Sequence, residues 1–152
     1  MQVPPIAHLA AALVEVPAGF ALDRLADPAF VGGWALGSMG LQPVGDGVFL
    51  GRSMFDGTEA HVEIRPRPEI GLVDYAVGTA ESRSPRIFIR VTDGTVLGMT
   101  GAVCLVALHA VRVAGSTEAR WQRTCVCHEA EILLIKAHLE TARSETRNDG
   151  QP

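Results

Sequence analysis

Cysteine is scarce, with 3 in 152 residues. Cys104, Cys125 and Cys127 make an odd and scattered set, which argues against a disulfide framework and for free thiols in a reducing compartment. Basic clusters are missing too. The formal charge is -4, and the basic pairs Arg65/Arg67 and Arg86/Arg90 are too dilute for a phosphate-binding surface, so nucleic acid is not an expected partner. No apolar run is long enough to span a bilayer. Ile6 to Val14 has no preceding Lys or Arg and no convincing small-x-small end, so it does not read as a secretion signal, and a cytoplasmic location is the expectation. The chain also lacks a nucleophile elbow, an inward pair of carboxylates, a metal motif and a Gly-x-Gly-x-x-Gly loop before a helix. No cofactor is expected.

What is present is a globular composition, 47% apolar with 5% aromatic residues, enough for one domain with a sizeable core. That domain is expected over 6–143, with 1–5 and 144–152 as flexible termini. Ser116 to Arg143 reads as one long amphipathic helix. Trp121, Cys125, His128, Ile132, Ile135 and Leu139 recur at spacings of three and four and share a face, bordered by Thr124, Glu131 and Lys136. Val126, Ala130, Leu133 and Ala137 lie toward the back. The Cys125-x-Cys127-His128 string is then no metal site, because positions two apart on a helix point about 200° from each other.

Before this helix the pattern is strands. Ile6 to Val16 alternates as a first strand. Pro17 to Gly37 carries two short helices, about 18–26 and 28–36, with Asp27-Pro28 as cap and first helical residue. From Leu41 onward Asp46-Gly47, Asp56-Gly57 and Asp93-Gly94 mark turns. A two-residue turn at Asp56-Gly57 sets Phe49 opposite Ile64, Gly51 opposite Val62 and Ser53 opposite Ala60. This gives one apolar face and one polar face, with His61 in solvent. Ile70 to Gly78 and Arg86 to Val91 follow as strands. Met99 to Val113 is apolar on both faces. If Arg112 points to water, Val103, Leu105, Ala107, His109 and Val111 turn inward. The outward Cys104, Val106, Leu108 and Ala110 then want a cover, which a second subunit would supply as a homodimer.

Runs of strands with separate helices indicate an α+β fold. About six antiparallel strands need a cover on their apolar face, and the C-terminal helix is the element long enough to provide it. This order resembles the START/Bet v 1-like (SRPBCC) superfamily, with its helix-grip fold. The likeness covers about Ile6 to Ala142. Leu25-Ala26-Asp27-Pro28 with Trp34, and the closing His128-Glu129-Ala130-Glu131-Ile132-Leu133-Leu134-Ile135-Lys136, look like bacterial members labelled polyketide cyclase/dehydrase-like. The resemblance implies a curved sheet gripping the helix around a cavity for lipids, sterols, polyketides, hormones or aromatic compounds. Some members are enzymes and others only carry or sense ligands, so fold alone does not choose between them.

Inward polar groups are the candidates for chemistry. His128 has the pKa range for proton transfer near neutrality. Glu131, three residues on, is placed to orient it, and Tyr75 has a hydroxyl suited to an enolate or carbonyl oxygen. Trp34, Trp121, His109, Arg90, Ile132 and Cys125 are the expected ligand-binding set, with Arg90 or Arg86 for a carboxylate or phenolate. Each has a structural alternative: a hydrogen-bonded core His128, a wall-forming Tyr75, solvated arginines, an edge Glu131. The small residues Gly51, Ser53 and Ala60 at inward positions, joined by Ala11, Ala102 and Ala107 if those also face inward, leave room beneath the helix. The expectation is binding of a small hydrophobic or aromatic metabolite. The alternatives are a cofactor-independent cyclase, dehydratase, isomerase or lyase, and a protein-interaction module.

Overall fold

A computed structural model describes residues 5–150. Strand β1 (Ala7–Val14) buries Ala10 and Val14 and exposes Leu9, Ala11 and Leu13, the alternation expected of a strand with one covered face. Pro17 halts it and caps helix α1 (Ala18–Leu25), whose Ala21 and Leu25 face the core. Asp27 accepts a hydrogen bond from the Ala29 amide at 3.1 Å, and Pro28 opens α2 (Pro28–Val31). This helix stops well short of position 36. At Gly32 the backbone of Leu41 passes so close that a Cβ would lie 2.7 Å from its nitrogen.

The remaining strands are β2 (Met39–Gly45), β3 (Val48–Arg52), β4 (Glu59–Arg67), β5 (Leu72–Gly78), β6 (Arg83–Asp93) and β7 (Cys104–Val111). They form one antiparallel sheet of seven strands rather than about six, in the order β1-β7-β6-β5-β4-β3-β2. Asp46 and Gly47 both have positive φ, 54° and 72°, and close a two-residue hairpin between β2 and β3, as Asp-Gly favours. Asp56-Gly57 does not. Ser53 to Thr58 forms a wider loop, in which the Ser53 amide donates to the Thr58 carbonyl at 2.9 Å and the Gly57 amide to the Ser53 carbonyl at 2.9 Å. Phe49 therefore opposes Val62, and Gly51 opposes Ala60. The register differs by two residues from that of a tight turn. An even shift leaves every side chain on the same face, so Val62 remains buried.

Strand β7 overturns an expectation. Cys104, Val106, Leu108 and Ala110 are the inward set, each 0–2% exposed. His109 lies on the outer face, stacked on Phe88 with ring centroids 4.4 Å apart and planes 9° from parallel. The error traces to Arg112, which has the inward parity. At the open end of the sheet it donates from Nη1 to Glu118 at 2.6 Å and from Nη2 to the Ser116 carbonyl at 3.0 Å. Its charge is satisfied at the start of the last helix rather than by water, so it does not mark the wet face. The surface suggested for a partner is thus core. Exposed apolar residues on the outer side are instead Leu9 and Leu13 of β1 and Val111 of β7.

Helix α3 (Glu118–Asp149) extends beyond Arg143. Thr117 caps it, its hydroxyl accepting from the Arg120 amide at 3.2 Å. Trp121, His128, Glu131, Ile132, Ile135 and Leu139 are buried, while Val126 and Leu133 are exposed, as the helical spacing required. The helix lies against β1 and β7. Leu25, Val31, Ile89, Leu108, Ile135 and Leu139 share the core between helices and sheet.

Candidate functional site: a cavity under the C-terminal helix

Toward its N-terminal half α3 stands off from β4, β5 and β6, leaving a cavity of about 820 Å³. Its walls are Val31, Trp34 and Ala35 from α2 and the following turn; Val62, Tyr75 and Val77 from β4 and β5; Arg86 and Ile87 from β6; Ala110 from β7; and Trp121, Cys127, His128 and Glu131 from α3. Phe55, Asp56 and Thr58 of the β3–β4 loop form the mouth together with Arg120 and Arg123. Across that mouth Arg123 sits over the Phe55 ring, 5.6 Å from its centroid, and reaches Asp56 at 4.0 Å.

Of the residues expected at the site, His128, Glu131, Tyr75, Trp34 and Trp121 meet around this space. Ile132 is core. Cys125 is not part of the lining and Cys127 takes its place. The two positions point to different sides of the helix, and the cavity lies toward Cys127. His109 is outside for the register reason given above, and Arg90 is exposed. Gly51 does not open the space either, because a Cβ there would lie 2.6 Å from the Ser38 carbonyl oxygen. Ala11 and Ala102 are exposed, and Ala107 is not in the lining. Ala60 and Ser53 do line it.

Arg90 or Arg86 was expected to hold an acidic group, with a solvated position as the alternative for both. The pairing of β5 with β6 slips between Tyr75/Ile87 and Ala76/Pro85. This bulge interrupts the strand alternation and brings Arg86 into the cavity wall. The signal was Pro85: a proline within a strand is tolerated at an edge or a bulge.

The polar groups divide into committed and free. The Tyr75 hydroxyl donates to the Leu25 carbonyl at 2.6 Å, and burial pushes its pKa up. Its ring is wall, packed edge-on to Trp34 at 6.0 Å between centroids. One Glu131 oxygen accepts from the Leu36 amide at 2.9 Å, tying α3 to the turn after α2. The other lies 3.6 Å from His128 Nε2, too far for a direct hydrogen bond. Both residues are nearly buried, at 4% and 5% exposure, and burial favours the neutral form of each. It raises Glu131 to about 7, against the opposing bond from Leu36. Burial lowers His128 to about 4, with His8 and Arg86 adding repulsion. His8 itself reaches in from β1, its ring 6.2 Å from that of His128, and pairs with Glu129 at 2.9 Å. His128 Nδ1, Trp34 Nε1 and Arg86 Nε are buried without a hydrogen-bond partner. All three residues line the cavity.

No family model matches the chain, and no curated protein matches it in sequence. Solved structures do match. A conserved protein from Geobacillus kaustophilus superposes at a TM-score of 0.65 with 10% identity, over 90% of this chain and 97% of that one. The Aha1 dimer from Colwellia psychrerythraea gives 0.65 and 12%, over 90% and 97%. StfQ, a di-domain ARO/CYC from the steffimycin biosynthetic pathway, gives 0.61 and 18%, over 93% of this chain and 46% of that one. The helix-grip fold expected from the resemblance, a long C-terminal helix against an antiparallel sheet, is the one this chain shares with them. At these identities the likeness is one of fold. The helix-grip architecture places the cavity between sheet and long helix. Among the described residues no helix is long and apolar enough to cross a membrane.

Proposed function

We propose that the protein binds a small hydrophobic or aromatic metabolite in the cavity beneath α3. The observation that carries this reading is the cavity itself. Its volume of about 820 Å³ falls within the roughly 300–1,000 Å³ of small-molecule sites, and Trp34, Tyr75 and Trp121 supply flat apolar walls. Native mass spectrometry of the purified protein, followed by denaturing extraction, is expected to show a copurified compound of that class. Ala60→Trp fills the lined space from β4. It should abolish binding of the extracted compound while leaving the thermal midpoint unchanged or raised. Undiminished binding in Ala60→Trp would place the ligand elsewhere.

A second reading has its own observation. Glu131, titrating near neutrality beside a neutral His128, has the protonation behaviour of a general acid–base pair in a space open to a ligand. In that case the protein is a cofactor-free lyase or isomerase of the cyclase kind. Glu131→Gln keeps an oxygen for the Leu36 amide, so it should retain affinity for the extracted compound and lose any turnover. Equal turnover in the variant would remove Glu131 from the chemistry, and no turnover by the wild type would leave binding as the function.

A further inference from the structure

The fixed charges around the cavity do not balance. Asp56 faces Arg123 at 4.0 Å, Glu59 pairs with Arg52 at 2.8 Å and Arg112 pairs with Glu118 at 2.6 Å. Glu131 is buried, and desolvation drives it toward its neutral form. Arg86 and Arg120 remain, and neither forms an ion pair among the described residues. Arg86 is the more telling of the two. Its Nε is buried with no hydrogen-bond partner, its neighbours include His128 and the like-charged Arg120, and a guanidinium does not escape the cost by losing its proton. A half-buried cation without a counter-ion is destabilising. The bulge at Ala76/Pro85 is what holds it there.

We infer that the ligand is an anion: an apolar or aromatic body with one carboxylate, sulfonate or similar oxyanion, which Arg86 holds and Arg120 assists at the mouth. This deepens the binding function proposed above and rests on it. A guanidinium binds such a group through two parallel N–H donors. The free Arg86 Nε supplies one donor, and the aromatic walls take the body. Arg90, exposed on the same strand, serves as the control position.

Two fluorescent probes with the same apolar body separate the head group from the cavity: anilinonaphthalene sulfonate, which is anionic, and N-phenylnaphthylamine, which is neutral. The wild-type protein should bind the sulfonate about tenfold more tightly than the amine, the scale of one charge-assisted hydrogen-bonded contact. Added salt should weaken only the sulfonate. Arg86→Gln should remove about that tenfold preference, leave amine binding unchanged and raise the thermal midpoint, because an unpaired buried charge is gone. Arg120→Gln, on exposed helix surface, should weaken the sulfonate by about threefold, and Arg90→Gln should change neither probe. Equal affinity of the two probes for wild type, or equal loss of both in Arg86→Gln, overturns the head-group assignment and leaves the cavity function standing. Failure of both probes to bind wild type overturns the cavity function and the assignment with it. The wild-type comparison and its salt dependence need no variant to fold.

Discussion

Leu108→Ala is expected to cost about 2–5 kcal/mol of folding free energy, the range for emptying a packed leucine site. Leu108 is fully buried between β7 and the helical layer. Its sequence context suggested the opposite, an outward residue on a surface awaiting a partner, where the same change would shift stability by less than about 0.5 kcal/mol. Leu13→Ala provides the contrast. Leu13 is 45% exposed on the outer face, and its replacement should stay within about 0.5 kcal/mol. Denaturant unfolding of both variants beside wild type checks the pair. A small effect at Leu108 with a large one at Leu13 would mean that the sheet presents its other face to α3, and every inward assignment on β1 and β7 would invert.

The second large effect concerns pH. Glu131 has a folded pKa near 7 against an ordinary 4.5, so the folded state holds its proton when the unfolded state has lost it. Its contribution is most favourable below about pH 4.5 and is lost as pH rises through 7. His128 behaves oppositely. Its folded pKa is near 4 against an ordinary 6.5, so its contribution is full above about pH 6.5 and is lost as pH falls through 4. Shifts of this size correspond to about 3 kcal/mol each. The groups facing the pair are His8 on β1 and Arg86 on β6, with Glu129 on α3 held to His8. In wild type the two slopes largely cancel between 4.5 and 6.5. Glu131→Gln removes one of them, and stability should then climb by about 3 kcal/mol from pH 4 to 6.5 relative to wild type. His128→Gln should instead make stability fall between pH 4.5 and 7. Chemical denaturation at half-unit pH steps reads both. Parallel profiles for the two variants would show that burial does not set these protonation states.

Much of this architecture follows from local rules. Periods of two and of three to four separate strands from helices, and Asp27-Pro28 announces α2 through a cap and a pre-set φ. The buried stripe from Trp121 to Leu139 follows from helical geometry, which is why the inward position of His128, Glu131 and Trp121 is legible in the sequence. Tyr75 followed from the alternation of β5 and Trp34 from a bulky side chain in a helical turn.

The misplaced residues share one cause. Whether a strand that is apolar on both faces turns its odd or even members inward is a choice between two nearly equal patterns. Contact with α3 makes it, so His109 faces outward and Leu108 inward. Arg86 enters the cavity, and Arg90 does not, because a single bulge interrupts the alternation of β6. Gly51 is small because the chain at Ser38 crosses it, an approach between segments that no local pattern encodes. The amino-acid order dictates the elements and the stripe of the long helix. Which strand face meets that helix, where the alternation breaks, and therefore which charge stands unpaired in the cavity, depend on contacts between distant segments whose energies appear only when the chain is packed.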